Sequence, residues 1–537
     1  MSPSIVTPPQ GESRLLADRD YFSDASILRD PYAYFEAVRA RGPIYRIPES
    51  GVVVVTGYDE ILSVLKNTDA FSSVIAPQGP AAALPFTPEG DDITPQIEAH
   101  RTDFVGGDLL VAYDDRQHGL SRALLMGLFT PSRLKANEAF IAAYSDEIVK
   151  QAVANGGCEL IKDIATPFVT MVIADLLGVP EGDRQLFMDA IEAGPPPGSL
   201  NSDDLMAQNQ PLVIMGMYFA QYVQDRRDHP RGDVLSELAN ARYPDGSVPD
   251  PLEIVRLATF LFGAGQDTSA KLLGNAMRFI VDQDGLQARL RQDPSLIPPM
   301  LEEVLRLEGS TKMTARLARK DTQIGALKVA AGTKVMLALA AGNRDPGRWE
   351  DPQAFVLGRP RIKEHLGFGR GAHVCAGAPL ARVEVRVILE KLLEHTTHID
   401  LVEAKHGPPG DRALEYEASF IIRGLAEMHL VLTPAPGLAA QGDRPPGRGL
   451  LGLGKRTEKA QASPTGYSTA ATKIGALLAD PAARAVLDSY FPGVSTDPRI
   501  GMAKSMTLRA VQKFAPDRFT VEALDAADAA LAKLRAP

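Results

Sequence analysis

Two cysteines occur in 537 residues, and one of them, Cys375, stands in the glycine-rich stretch Phe368 to Gly377, FGRGAHVCAG, with His373 two positions before it. A thiol just ahead of a helix start meets free N–H groups that favour the thiolate, and a thiolate can ligate a metal. A lone cysteine is by default a small buried apolar residue, so the residues alone leave both readings open. Three other pairs invite chemistry. Asp267 and Thr268 place an acid beside a hydroxyl inside a long apolar run, after Gly263, Ala264 and Gly265. Buried Asp is rare without partners, and glycines there would loosen a helix where another group must fit. His118 and Arg122, four apart, share one helical face. Glu303 and Arg306 have the spacing of an ordinary surface ion pair.

The elements that position these groups follow from periodicity and caps. A first helix is predicted over Pro31–Arg39 with Asp30 as cap, then a hairpin of Ile44–Ile47 and Val52–Thr56, then a helix over Tyr58–Lys66. From Ser72 to about Val111 periodicity is lost, a length that marks a functional or disordered loop. Asp114–Lys135 reads as one helix, and residues 139–180 as helices carrying Cys158 as a structural thiol. GPPPG marks a loop over Ala193–Asn201, and Pro211–Arg227 is helical in pattern. A long helix over Pro251 to about Ile280 carries the Asp267–Thr268 pair, and another follows Asp293 and Pro294. Arg316 lies among short strand signals, Leu430–Leu432 reads as a strand, and a helix follows Cys375.

In order along the chain, His118-x-x-x-Arg122, Ala264-Gly265-x-Asp267-Thr268, Glu303-x-x-Arg306, Arg316, Asn343-Arg344-Asp345-Pro346 and FGxGxHxCxG resemble the motifs of the cytochrome P450 family. The likeness covers about residues 20–435. It implies a mainly α fold with small β-sheets, haem b (iron protoporphyrin IX) as cofactor, and Cys375 as the thiolate ligand of the iron. Phe368, Gly369, His373 and Gly377 would form the ligand loop, and His118, Arg122 and Arg316 would reach haem propionates. Ala264 and Gly265 would lie over the haem, Thr268 would hydrogen-bond the dioxygen and Asp267 would relay protons. Glu303 and Arg306 become a buried pair on the proximal side, completed by an arginine. Ala354 stands where that arginine is usual, which leaves Arg348 or Arg359. Leu261, Ser310, Thr311, Met313, Ser419, Phe420 and Ile421 are implied pocket liners, the 72–111 segment a pocket cover, and the helices around 180–227 a mobile lid.

The implied activity is insertion of one oxygen atom of O2 into an apolar substrate, with NAD(P)H electrons arriving through ferredoxin reductase and ferredoxin. A peroxide-using or rearranging enzyme and a haem-based sensor are the alternatives. Net charge of −10 gives no reason to expect a nucleic-acid partner. Neither a signal peptide nor an apolar run near the roughly 20 residues of a membrane span is evident, so a cytoplasmic enzyme is expected. Two cysteines exclude a disulfide framework, and residues 436–537 contain none for a fused iron–sulfur cluster.

Residues 436–465 read as a flexible linker and 466–537 as a small all-α module of unknown role, able to bind a partner or a second copy. It weakly resembles helical modules appended to some bacterial hydrolases. Asp480 and Pro481 start one of its helices and Asp497 and Pro498 another. Thr520 caps a last helix with Val521, Leu524, Leu531 and Leu534 on the apolar face. Gly449, Gly454 and Lys455 mimic a phosphate loop, but Arg456 replaces the magnesium-binding hydroxyl and no strand precedes it.

Overall fold

The long helices each turn one apolar face inward, and the central one is covered along much of its length. A computed structural model describes residues 16–192, 202–437 and 467–534, apart from 471, 497–499, 501–506 and 513–517. The predicted 193–201 loop, most of the linker, the phosphate-loop mimic and the Asp497–Pro498 helix start lie outside the described residues. So do residues 1–15, while Ala17 and Tyr21 just after them are wholly buried.

Helix α1 (Tyr32–Arg39) begins after Pro31, with Asp30 outside the cap position. Strands β1 (Ile44–Arg46) and β2 (Val53–Val55) pair as the predicted hairpin, and α2 (Tyr58–Lys66) has the predicted bounds. β3 (Phe71–Ser72) then leads into the aperiodic segment, which is ordered here. Its Val74, Ile75, Ile93, Ile97 and Phe104 make a small core with Ala315 and Leu317.

The helix predicted over Asp114–Lys135 is two. α3 (Asp115–Met126) ends, Thr130 is extended, and α4 (Pro131–Ala154) starts with Pro131 in its first turn. Proline supplies no N–H and clashes with a preceding turn, so it begins a helix instead of continuing one. Cys158 is on a strand, β4 (Gly157–Glu159), and not on a helix as its neighbours suggested. Next come α5 (Thr166–Leu177), α6 (Arg184–Glu192) and α7 (Ser202–Asp228). The central helix α8 (Pro251–Asp282) is capped by the Asp250 carboxylate, and α9 (Ile297–Glu308) follows.

Five strands form the larger sheet in the order β1-β2-β8-β5-β3, where β5 is Thr314–Ala318 and β8 is Lys334–Leu337. β6 (Thr322–Ile324) and β7 (Leu327–Val329) form a separate hairpin. Helix α10 (Ala378–His395) runs into β9 (Thr396–Leu401), which pairs with β10 (His429–Pro434), and β10 pairs with β4. The main core joins α4, α5, α8, α9 and α10. Among the described residues no helix is long and apolar enough to cross a membrane.

A buried ionic cluster ties α8, α9 and the segment before β10. Glu308 meets Arg423 at 2.7 Å, Arg344 at 3.2 Å and Arg278 at 3.3 Å, and the Tyr32 hydroxyl donates to it at 3.0 Å. Burial alone would raise the Glu308 carboxyl, but Arg423, Arg278 and Arg344 bring it down to about 2. Its contribution to stability is therefore complete above the unfolded carboxyl pKa of about 4.3 and is lost as the pH falls from there towards 2. Glu308→Gln is expected to lower the urea midpoint near neutrality and to converge on wild type as the medium is acidified through that window. A gap of constant size would disprove this linkage.

Towards the C-terminus, α11 (Ile474–Ala479), α12 (Pro481–Tyr490) and α13 (Val521–Leu531) bury Ile474, Leu477, Leu487, Phe491, Leu524 and Leu531 together. Asp480 accepts the Ala482 and Ala483 N–H groups, and Thr520 accepts that of Ala523, as the sequence predicts. Val521 departs from the predicted apolar face and is 52% exposed. Ile214 of α7 is buried in this same core, with Met217 and Tyr218 packed against it.

Candidate active site

A tight loop delivers Cys375 to the start of α10. The Cys375 N–H donates to Phe368 O at 2.9 Å, and Gly369 and Gly371 between them have φ of 66° and 75°. A side chain at Gly371 would also collide with the Leu65 carbonyl at the end of α2, so this glycine meets two demands. The Arg382 guanidinium covers the Phe368 ring at 4.6 Å and is paired with Glu302. Cys375 keeps solvent-accessible surface and stays outside the apolar core, while the protein atoms around its sulfur shield that atom from water.

The helix start alone suggests a lowered thiol pKa. Burial instead outweighs the Gly377 and Ala378 N–H groups and the charges of Arg122 and Arg382, and pushes the Cys375 thiol up. A metal cation bound at sulfur would reverse that balance.

Four cationic or ionisable groups converge at this loop. His118 of α3 and His373 have ring centroids 4.0 Å apart, and His373 Nε2 is 3.0 Å from Ser73 Oγ. Arg122, one turn after His118, donates to Val374 O at 2.6 Å. Arg316 on β5 is buried and donates only to Ala315 O and Thr314 Oγ1, with no ion pair among the described residues. Burial, with Arg316, His118 and Arg122 nearby, lowers His373 to about 2. A proton is thus excluded from a site that already holds two guanidinium groups.

Asp267 and Thr268 sit on α8, which is continuous through the glycines and shows no break. Thr268 Oγ1 donates to Ala264 O at 2.9 Å, a back-bond of the kind that bends helices, and Ser310 Oγ donates to Thr268 O at 2.6 Å. Ala264 is exposed, and Gly263 and Gly265 to Thr268 around it are half-buried, in a helix that is largely buried before and after this stretch. A methyl group at Gly265 would meet only Ile173, at 3.6 Å. Asp267 Oδ2 is buried without a hydrogen-bond partner. Burial raises its carboxyl to about 6, with Lys271 lowering it and Glu417 raising it further.

Glu303 and Arg306 are both fully buried and joined at 2.8 and 2.9 Å. Arg359 is their third partner, with Nε at 2.9 Å from Glu303 Oε1, while Arg348 pairs with Glu364. Ala354 takes part through its backbone, accepting from Arg306 at 3.0 Å and Arg359 at 2.9 Å.

Of the implied pocket liners, Leu261 is buried in the main core, and Thr311 forms a β-bridge with Ile422. Met313 and Phe420 lie in a core with Tyr21, Tyr34 and Phe35. Several neighbours of the site escaped the sequence. Glu384 is buried on α10, and burial raises it to about 8 against a hydrogen bond from Ser269. Its position four residues from Leu380 and Ile388, on an apolar stripe, was the available signal. Ser73 and Glu417 had none, because their partners are far away in the chain, whereas Lys271, four residues after Asp267, carried the spacing of an ion pair on one helical face.

The residues fit the haem that the motifs imply. His118 Nε2 is buried and unpartnered, Arg316 is a buried guanidinium without a carboxylate, and Cys375 offers a soft sulfur ligand. His118, Arg122 and Arg316 could hold two propionates, and the Cys375 sulfur the iron.

The family model described as Cytochrome P450 matches residues 214–405. Cytochrome P450 144 of Mycobacterium tuberculosis is 31% identical over 391 residues, 72% of this chain and 87% of that protein. The Steroid C26-monooxygenase of M. tuberculosis is 27% identical over 438 residues, 79% of this chain and 98% of that protein. The substrate-free structure of Mycobacterium marinum cytochrome P450 CYP150A6 has a TM-score of 0.73 and 47% identity, covering 78% of this chain and all of that one. A mainly α fold with small sheets, a cysteine loop at a helix start and likeness over nearly the whole of these relatives agree: the chain belongs to the cytochrome P450 family of haem-binding monooxygenases.

Proposed function

We propose that this cytochrome P450 inserts one atom of O2 into an apolar organic substrate, with electrons passed from NAD(P)H by a separate ferredoxin reductase and ferredoxin. The observation that carries this reading is the Asp267–Thr268 pair, a buried carboxyl held near 6 next to a hydroxyl on the central helix. An acid with a pKa near the working pH can both take and give a proton. Haem, when bound, supplies the reduction of dioxygen and the insertion of one oxygen atom. Cys375 would provide the thiolate ligand of the iron, and His118, Arg122 and Arg316 would anchor the propionates by charge-assisted hydrogen bonds. Phe368, Gly369, His373 and Gly377 shape the ligand loop, and Ala264 and Gly265 would leave room beside α8 for the haem. Asp267 holds a proton at Oδ2 and passes it towards Thr268 Oγ1. Leu261, Thr311, Met313 and Phe420 bound the substrate side and exclude water.

An apolar substrate accords with those liners, and the name of one relative, a steroid monooxygenase, supports the same class. The separate electron donors rest on the scarcity of cysteine, which leaves no ligand set for a fused cluster. We place the haem domain at 1–435, the linker at 436–465 and an interaction module at 466–537, in a cytoplasmic enzyme.

The test uses purified holoenzyme with NADH, a bacterial ferredoxin pair and isotopically labelled dioxygen on a panel of steroids and fatty acids. One labelled oxygen per product molecule is expected. Product from peroxide alone, with none from dioxygen and electrons, would overturn the reading. Asp267→Asn is expected to cut product formation by about 100-fold or more, the usual worth of a positioned proton donor, with reducing equivalents diverted to peroxide. Unchanged product per NADH in that variant would remove Asp267 from its role.

A further inference from the structure

Asp267 does not stand alone on α8. One turn further on, Lys271 is 4% exposed, and its ammonium is ion-paired with Glu417 and lies 4.0 Å from Asp267 Oδ1. Glu417 comes from the strand-like segment before β10, where Tyr416 bridges Leu425 and Glu417 N donates to Gly424 O at 3.0 Å. Glycine at 424 makes room for this arrangement, since a side chain there would collide with the Lys271 stem. Asp267 Oδ2 and Glu417 Oε2 are both buried with no hydrogen-bond partner. Two carboxylates therefore share one ammonium inside the protein, and a fully ionised trio carries an uncompensated negative charge. Such a charge is expensive to bury, and the group resolves it by binding a proton.

We propose that Lys271 and Glu417 are positioning residues that set when Asp267 holds its proton and when it releases it. With the ammonium drawn to Glu417, Asp267 is the carboxyl that stays protonated. When the ammonium swings to Asp267, the carboxylate form is favoured there, its proton leaves towards Thr268, and Glu417, now without its cation, takes up a replacement proton from water. The charged groups acting on Asp267 are Lys271 from its own helix and Glu417 from the facing segment, while Glu384 of α10 faces Ser269 and Glu417 also acts on Lys312. The two partners act on Asp267 with opposite sign, as expected of a cation and an anion. This inference rests on the proton-donor reading of Asp267, and its test separates the two.

The experiment follows the protonated-carboxyl infrared band of Asp267, identified by its loss in Asp267→Asn, against pH in the ferric holoenzyme without electron donors. Lys271→Met is expected to move the midpoint of that band up by about one unit, a tenfold change in the protonation equilibrium, and Glu417→Gln to move it down. Lys271→Arg is expected to restore a midpoint close to wild type. The pH profile of product per NADH should move with the band in each variant. Shifts of the same sign in both variants, or none, would overturn the proposal, and Glu417→Gln alone decides it if Lys271→Met does not accumulate as holoenzyme. A holoenzyme that makes no product from dioxygen, yet shows the opposed shifts, would instead strike at the function and leave the triad standing.

Discussion

Cys375→His holoenzyme is expected to lose the red-shifted ferrous carbonyl Soret band of thiolate ligation, and its product formation should fall beyond the roughly 10–100-fold that losing an outer partner costs a metal site. The thiolate pushes electron density towards iron and favours O–O cleavage, which imidazole does not do as well. The loop geometry makes this variant a clean probe. Phe368 O holds the backbone N–H of residue 375, and Gly369 and Gly371 fix the turn, so the side chain changes while the loop stays. Cys158→Ser is the matched control. Cys158 lies on β4 facing Leu430 of β10, and burial raises its thiol far above the usual range, so it is no thiolate donor. Its variant should keep the band. Retention of the band in Cys375→His, or its loss in Cys158→Ser, would refute the ligand assignment.

Glu303→Ala is expected to cost about 3–5 kcal/mol of folding stability, read from the denaturant midpoint, because it strands two buried guanidinium groups. Arg306 is wholly buried and Arg359 nearly so, and each donates to the Glu303 carboxylate. Their remaining donors go to backbone oxygens of Asn343, Glu350, Asp351, Pro352 and Ala354. The cluster therefore clips α9 to the long irregular segment that leads into the cysteine loop. Haem retention should fall with stability, since that segment positions Phe368 and Cys375. A loss of only a few tenths of a kcal/mol, as for an exposed pair at this spacing, would show that the cluster carries no such load.

Local features were legible because their causes are local. The ends of α2, the β1–β2 hairpin, the Asp480 and Thr520 caps and the motif loop follow from neighbours a few positions apart. The break between α3 and α4 was also local, and Pro131 announced it, but the strong helix formers on both sides obscured it. Cys158 could not be placed on a strand because its pairing partner, Leu430, belongs to the far end of the domain. The same distance hid Arg359 as the certain third partner of Glu303 and Glu417 as the partner of Lys271. Glu303-x-x-Arg306 illustrates the general point. Its spacing says only that the two groups meet, and burial, which gives the pair its worth, is a property of the whole chain.

The core formed by α11, α12 and α13 is not closed by the module alone, because Ile214 from α7 completes it, while Met215, Phe219, Tyr222 and Val223 of that helix belong to the main core. A helix with one foot in each core couples their unfolding, so a calorimetric scan is expected to show coupled transitions in place of two independent ones. Any displacement of α7 relative to α8 is then felt by the C-terminal helices as a loss of apolar cover.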